Sequence, residues 1–214
     1  MKTIKIDIVS DVVCPWCYLG KARLEAALSQ MDGVKAEINW RPYQLDPSIP
    51  RTGVDRKKYM EAKFGDGPRL GEIHKQLAAL GKAVGIDYDF DAIEVAPNTM
   101  NAHRLIRWAA QAGPGIQGKV VDALFKAYFT DGKDIGNQQI LMDVAAACGM
   151  DKSIVAQLLP TDAEEAGVIG EIATAKQIGI TGVPCFIFNQ KYAVSGAQTP
   201  DVLIEAMQGA MKEA

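Results

Sequence analysis

The spacing of apolar residues changes twice along this chain, and no other feature of the sequence constrains the fold as strongly. Ile4, Ile6 and Ile8 alternate with charged residues, as in a strand with a buried face. From residue 54 to residue 178, apolar residues instead recur at the spacing of helices that pack on a core. After Gly179 the alternation returns. We therefore predict a sheet formed by the two ends of the chain, with a helical block between them.

The N-terminal segment predicts a β-α-β unit. Pro15 suits the first position of a helix, because its missing amide hydrogen would have no partner there, and this makes Cys14 the N-cap. We expect the helix to end near Gly33, after which residues 34–40 alternate again. Two strands joined by one helix are expected to lie parallel with a right-handed crossover.

The C-terminal segment predicts a β-β-α unit. Residues 185–188 and 192–195 flank a polar turn, which is a hairpin signal. Thr199 followed by Pro200 is typical of the start of a helix. Between the two sheet-forming segments we expect only helices, the last of them beginning at Thr161 in a capping-box pattern.

Composition excludes several classes of protein. Apolar residues make up 48% and charged residues 23%, which is average for globular chains and excludes disordered, collagen-like and membrane-embedded classes. The 23 basic residues against 26 acidic ones give a net charge of -3, so no basic field attracts nucleic acid or anionic lipid. We expect neither partner. The N-terminal residues lack the pattern of a signal peptide, so we expect a cytoplasmic protein.

Cys14 and Cys17 are the one close pair among the four cysteines. A structural zinc site normally needs four ligands, and no second close pair of Cys or His is present, since His74 and His103 are isolated. We therefore predict no metal. At a helix N-terminus, free amides and the helix dipole stabilise a thiolate, which favours Cys14 as the attacking sulfur. Cys17, one turn deeper, is then the resolving thiol.

The other two cysteines call for different interpretations. Cys148 lies on an apolar helical stripe, and core packing accounts for it. Cys185 follows Pro184 directly, and we favour a small buried hydrophobe at the start of a strand. The alternative for Cys185 is a third thiol that exchanges with the close pair.

Three polar residues near these motifs have two interpretations each. Asp11 could accept a proton near the cysteines, but we favour a solvated residue at a strand end. We expect His103 to be a surface or capping residue and leave it out of the catalytic set. Asn98 either caps the helix that follows or lines a groove that faces the cysteines.

These features together resemble the thioredoxin superfamily: a strand, Cys-Pro-Trp-Cys, a helical insertion, then Gly182-Val183-Pro184 and a hairpin. The segment from Ser10 to Gly20 is similar to DsbA-like oxidoreductases of the FrnE type, as are Asn98-Thr99, His103-Arg104-Leu105 and Ser195-Gly196-Ala197-Gln198. The resemblance implies an α/β thioredoxin fold, with β-α-β and β-β-α halves, interrupted by an all-helical insertion as in DsbA. Residues 1–45 and 161–214 would form the thioredoxin-fold domain, and 46–160 the insertion.

The resemblance also implies a thiol-disulfide oxidoreductase that works through a mixed disulfide. Cys14 would be the nucleophile and Cys17 the resolving cysteine. The substrate would be bound by Pro15, Trp16, Val183, Pro184 and Asn98, with Pro184 in the cis form. Neither a metal nor a nucleotide is implied. The expected partners are proteins or small molecules that contain a thiol or a disulfide, with glutathione as a candidate co-substrate.

Two alternative functions stay open. Kappa-class glutathione transferases and 2-hydroxychromene-2-carboxylate isomerases resemble this architecture, but they usually carry serine where this chain has Cys14, and an acidic residue where it has Gln198. A holdase-like binding protein is the other alternative, with the insertion capturing unfolded chains. Because the chain keeps both cysteines, we favour the oxidoreductase.

Overall fold

The computed structural model describes residues 2–65 and 68–212. In chain order its elements are β1 (Lys2–Ser10), α1 (Pro15–Leu28), β2 (Val34–Pro42), β3 (Val54–Asp55), α2 (Arg56–Phe64), α3 (Arg69–Lys82), β4 (Val95–Ala96), α4 (Met100–Gln111), α5 (Ile116–Phe129), α6 (Gln138–Ala147), α7 (Lys152–Leu158), α8 (Glu165–Gln177), β5 (Cys185–Phe188), β6 (Tyr192–Ser195) and α9 (Pro200–Lys212). Both predicted units, β-α-β and β-β-α, are present.

The two ends of the chain form one four-stranded sheet with the order β2-β1-β5-β6. β1 runs parallel to β2, as the β-α-β prediction requires, and antiparallel to β5. In register, Ile6 faces Phe188 and Ile8 faces Phe186, and all four side chains are at most 1% exposed. Burial of each such side chain contributes about 1.5–3 kcal/mol. This pairing places the end of β1, where the Cys-x-x-Cys segment begins, beside the start of β5.

Helices cover both faces of the sheet. The face that carries Ile6 and Phe186 packs against the main core, and α1 and α9 contact each other there. On the opposite face, Val9 and Cys185 pack with Ala175 of α8. Within the described residues, no helix is long and apolar enough to span a membrane.

The segment between the sheet-forming parts differs from the prediction in two places. Expecting only helices there was wrong, because β3 and β4 pair in a two-residue antiparallel ladder. The predicted start of α8 at Thr161 was also wrong, since this helix begins at Glu165. Instead, the Thr161 hydroxyl donates to the Leu158 carbonyl and accepts a hydrogen bond from the amide of Ala163, which makes a turn rather than a helix cap.

Candidate active site

Cys14 occupies the N-cap of α1, as predicted, with extended backbone angles (φ -94°, ψ 111°). Its Sγ lies 3.7 Å from the carbonyl oxygen of Val183, which is 169 positions away in the sequence. The Val183–Pro184 peptide bond is cis. Helix α1 follows β1, and the loop that contains Pro184 leads into β5, which pairs with β1. This pairing brings the start of α1 and the Pro184 loop into direct contact.

A glycine allows this close contact. A Cβ atom on Gly20, within α1, would lie 3.0 Å from Cγ of Pro184 and 3.1 Å from the ring of Phe186. Both distances are tighter than ordinary packing, so a side chain here would force the proline loop away from the helix. Glycine destabilises the interior of a helix. The close approach of Pro184 and Phe186 accounts for a glycine at position 20.

Cys17 lies one turn deeper and is 1% exposed, against 4% for Cys14. Burial raises the pKa of the Cys17 thiol well above its ordinary value, and the neighbouring Cys14 raises it further. All four cysteines are free thiols in the structure. The deeper thiol is therefore held in its protonated form, which is a poor nucleophile. Its predicted order of action stays a prediction.

A cavity of about 360 Å³ opens beside the cysteine helix. Its wall includes Cys14, Pro15, Trp16 and Val183, four of the predicted site residues. Most of the remaining wall is apolar and comes from α2, α3 and the segments around them, including Met60, Phe64, Leu70, Ile73, Phe90 and Phe129. The predicted insertion therefore encloses the space through which a molecule reaches Cys14.

Tyr88 links this wall to the cysteine helix. Its hydroxyl donates to the carbonyl oxygen of Pro15 at 2.7 Å. Burial raises the pKa of this hydroxyl, so it stays a donor at neutral pH. The ring of Tyr88 stacks on Phe90 at 5.0 Å, and Phe90 stacks on His74 at 4.1 Å. Sequence analysis did not identify Tyr88, because no local pattern marks a contact between residues so far apart.

Three predicted site residues lie off the cavity wall. Cys17 and Pro184 are buried behind it. Asn98 is also buried, and its side chain accepts from the amide of Met100 at 3.0 Å and donates to the carbonyl of Ile49 at 2.6 Å. Its neighbour Thr99 reaches the wall instead. Asn98 thus helps to fix the start of α4, and its predicted role in substrate binding stays a prediction.

The expectations for Asp11 and His103 were wrong, because neither side chain is at the surface. Asp11 is 1% exposed and His103 is 3% exposed. The His103 Nε2 lies 3.3 Å from one Asp11 carboxylate oxygen, and the other accepts from the amide of Leu45 at 2.8 Å. The fold buries the strand end that we expected to be solvated. These two hydrogen bonds offset the free-energy cost of removing the Asp11 carboxylate from water.

Cys148 and Cys185 are both buried, as the favoured interpretations of these two cysteines predicted. Cys185 is 2% exposed and packs on the sheet face opposite the core that contains Cys14 and Cys17. Its position on the other face argues against a third exchanging thiol. Cys148 is 8% exposed and belongs to the main core.

Comparisons with known proteins agree with this geometry. The model of the DSBA-like thioredoxin domain family matches residues 5–208. The uncharacterized protein YwbO of Bacillus subtilis is 26% identical over 212 residues, which cover 99% of each chain. The crystal structure of a probable DsbA oxidoreductase from Streptomyces coelicolor has a TM-score of 0.89 and 31% identity, over 99% of this chain and 91% of that one. The cytosolic disulfide reductase DsbM from Pseudomonas aeruginosa, solved with GSH, has a TM-score of 0.63 and 14% identity, over 97% and 99% of the two chains.

Proposed function

Because the chain belongs to the DSBA-like thioredoxin domain family, we propose that it is a thiol-disulfide oxidoreductase that acts through Cys14 and Cys17. The observation that carries this proposal is the position of Cys14. It caps a helix, its Sγ lies beside the backbone of Val183, and it forms part of a cavity wall. A sulfur so placed is accessible from the cavity, whereas Cys17 is accessible mainly to Cys14.

The proposed reaction has two exchange steps. The Cys14 thiolate attacks one sulfur of a substrate disulfide, the substrate S–S bond breaks, and the departing half leaves as a thiolate. The Cys17 thiol then loses its proton and attacks the Cys14 sulfur, which releases the second half as a thiolate. The protein dithiol is oxidised to a disulfide, and the substrate disulfide is reduced to two thiols. The same steps run in reverse when the substrate is a dithiol.

The residues around Cys14 have supporting roles in this proposal. Pro15 and Trp16 form the wall next to the attacking sulfur, and Pro184 holds Val183 against it. The Val183 carbonyl, which accepts from the Cys14 thiol, becomes available to a backbone amide of the substrate once Cys14 is in the mixed disulfide. We expect this hydrogen bond to orient substrates that have such an amide.

Glutathione enters the proposal as a candidate co-substrate that reduces the Cys14–Cys17 disulfide. DsbM, whose fold this chain shares, has been solved with GSH. Two glutathione molecules supply the two electrons and leave as glutathione disulfide. The expected cytoplasmic location stays a prediction, which fractionation of the source cells would check.

The test traps the intermediate. Cys17→Ser removes the resolving thiol, so we expect this variant to accumulate a disulfide adduct at Cys14 when mixed with glutathione disulfide, one half of which leaves as glutathione thiolate. Mass spectrometry of the tryptic peptide that contains Cys14 measures the adduct. Cys14→Ser should form none, and the matched controls Cys148→Ser and Cys185→Ser should exchange like the unmodified protein.

Two results would argue for the alternative functions. Glutathione retained without a covalent bond, together with conjugation of an apolar electrophile, would favour the transferase or isomerase class. Suppression of aggregation that is unchanged in the Cys14→Ser, Cys17→Ser double variant, with no adduct in the single variant, would favour a holdase.

A further inference from the structure

The cavity beside Cys14 is apolar along most of its wall, but this wall also carries a partly buried cation that forms no ion pair with a described carboxylate. Arg56, the first residue of α2, lies in this wall and is partly buried. Its Nη1 donates to the carbonyl oxygen of Phe90 at 3.1 Å. The guanidinium also lies beside the hydroxyl of Tyr128. Among residues 2–65 and 68–212, no carboxylate lies within ion-pair distance of it. A partly buried charge without a counterion is unusual, because burial favours pairing.

The stability of α2 does not account for Arg56. Positive charge is unfavourable at a helix N-terminus, where the helix dipole is positive. The first turn of α2 nevertheless carries Arg56, Lys57 and Lys58, and it contains no acidic residue. The nearby His74 cannot compensate Arg56, because an imidazole is either neutral or positively charged. Burial, assisted by the Arg56 charge, lowers the pKa of this imidazole and keeps it neutral at pH 7, so it adds no second positive charge.

The other charges in the wall already have partners. The Lys63 ammonium donates to the hydroxyl of Tyr59 at 2.9 Å, and that hydroxyl donates to the Asp46 carboxylate at 3.1 Å. The Tyr59 hydroxyl thus connects Lys63 to Asp46. Asp11 accepts from Leu45 and lies beside His103. Lys63 is exposed and reaches a carboxylate through one hydroxyl, whereas Arg56 is partly buried and reaches none among the described residues. Arg56 is therefore the cation of this wall that we consider open to an anionic ligand.

We propose that the cavity binds small disulfides and thiols that carry an aromatic or similarly sized apolar group and a carboxylate, and that Arg56 binds the carboxylate; this inference rests on the proposed function. A volume of about 360 Å³ lies in the range of sites for small ligands. The apolar group would pack among Leu70, Ile73, Phe90 and Phe129, with its sulfur at Cys14. A guanidinium matches a carboxylate with two parallel hydrogen bonds.

The test uses single-turnover oxidation of the reduced protein by three disulfides. Dithiobis(nitrobenzoate) carries the ring and the carboxylate, dithiodipyridine carries a ring without charge at pH 7, and dithiodiglycolate carries the carboxylate without a ring. In each reaction Cys14 attacks one sulfur and half of the reagent leaves as a thiolate. Each rate constant, measured by stopped flow, is divided by that of the same reagent with 2-mercaptoethanol, which removes differences in intrinsic reactivity.

The protein should prefer dithiobis(nitrobenzoate) to both other reagents. We expect Arg56→Met to lower the preference over dithiodipyridine by about tenfold, the loss typical of a charge-assisted hydrogen bond. Its rate with dithiodipyridine should change by less than about twofold, which shows that the variant is folded and reactive. Arg56→Lys, which keeps the charge, should retain part of the preference. The matched control Lys63→Met, on the same helix and wall, should change it by less than about twofold.

The outcomes separate this inference from the proposed function. If none of the three disulfides oxidises Cys14, the proposed function is wrong. If they do oxidise Cys14 but Arg56→Met leaves the preference unchanged, or Lys63→Met lowers it equally, then Arg56 does not bind the carboxylate. Equal normalised rates for dithiodiglycolate and dithiobis(nitrobenzoate) would show that the apolar wall does not select a ring.

Discussion

At the scale of single residues, the proposed chemistry depends on the contrast between two thiols one helical turn apart. Cys14 forms part of the cavity wall, whereas Cys17 is buried behind it. Burial is the largest cause of the raised pKa of Cys17, and the hydrogen bond and charge of Cys14 come second. Once Cys14 is bound in a mixed disulfide it carries no charge, but the effect of burial remains. In the proposed reaction, we therefore expect the ionisation of Cys17 to limit the second exchange step.

This limit predicts a steep pH dependence. Because the pKa of Cys17 lies above its ordinary value of 9.0, the thiol is protonated at neutral pH, and its thiolate fraction grows as pH rises toward that pKa. We expect the second thiolate release from dithiobis(nitrobenzoate) to accelerate about tenfold per pH unit between pH 6 and pH 9. Stopped-flow absorbance separates this release from the first one. A plateau below pH 8 would show that burial does not hold Cys17 in its neutral form.

The sequence identified the residues whose roles depend on local spacing. Cys14, Pro15 and Cys17 could be placed at the start of a helix from their order alone. The buried pair of Asp11 and His103 could not, because its members are 92 positions apart and only the packing of α4 against the sheet brings them together. A signal was nevertheless present, since His103 lies within an apolar helical stripe.

At the scale of elements, one arginine fixes the connection between α7 and α8. Arg104 is 1% exposed, and its guanidinium donates to carbonyl oxygens that lie along this connection. The acceptors are those of Leu158, Leu159, Thr161 and Ala163, at 2.7–3.2 Å, with the Asn101 side chain as a fifth. These contacts explain why the capping-box prediction failed. With the carbonyls of Thr161 and Ala163 bound to Arg104, residues 161–163 are held out of the helix.

The same contacts predict a large loss of stability on substitution. Arg104→Met keeps the length of the side chain but removes a buried guanidinium that donates to four carbonyl groups of this connection. Since hydrogen bonds to a charged donor contribute about 1.5–3 kcal/mol each and are not additive, we expect the free energy of unfolding to fall by about 3 kcal/mol or more. Urea denaturation followed by circular dichroism measures this change.

An exposed basic residue provides the control for this experiment. Lys152 pairs with Asp143 at the surface, and both side chains are about half exposed. Lys152→Met should change the free energy of unfolding by less than about 1 kcal/mol. A loss of less than about 1 kcal/mol for Arg104→Met as well would mean that the connection does not depend on the guanidinium.

The periodicity of apolar residues predicted the four strands of the main sheet and missed the two-residue ladder. Strands β1 and β2 and helix α1 extend over nine or more residues, so the pattern repeats often enough to be read. The β3–β4 ladder has two residues in each strand, and it is fixed by pairing across the fold rather than by any local pattern.

At the scale of the whole molecule, the sheet and the helical segment share one hydrophobic core. Ile8 and Phe186 of the sheet belong to the same buried cluster as Leu77 of α3 and Leu124 of α5. The cavity beside Cys14 lies between these two parts of the chain. The Cys14 sulfur is therefore next to a space large enough for a small ligand. The predicted boundaries near residues 45 and 160 stay a prediction, since packing is continuous across them.

The sequence predicted this arrangement only in outline. The resemblance to DsbA-like proteins implied both the fold and a helical insertion, and the family match confirms that level of description. Which side chains of the insertion face the cysteine helix depends on how α2 and α3 are oriented. The helical pattern of α2 is too weak to fix that orientation, as none of its residues is fully buried. Arg56 was therefore not identified from sequence.

The most direct test of the central claim is the redox equilibrium of the unmodified protein. The protein is equilibrated with buffers of varied glutathione to glutathione disulfide ratio, quenched with acid and alkylated, and its free thiols are counted by mass spectrometry. We predict one transition that involves two electrons and converts Cys14 and Cys17 together, while Cys148 and Cys185 stay reduced throughout. If Cys14 and Cys17 stay reduced across the whole range, or titrate independently of each other, the pair is not a dithiol redox centre.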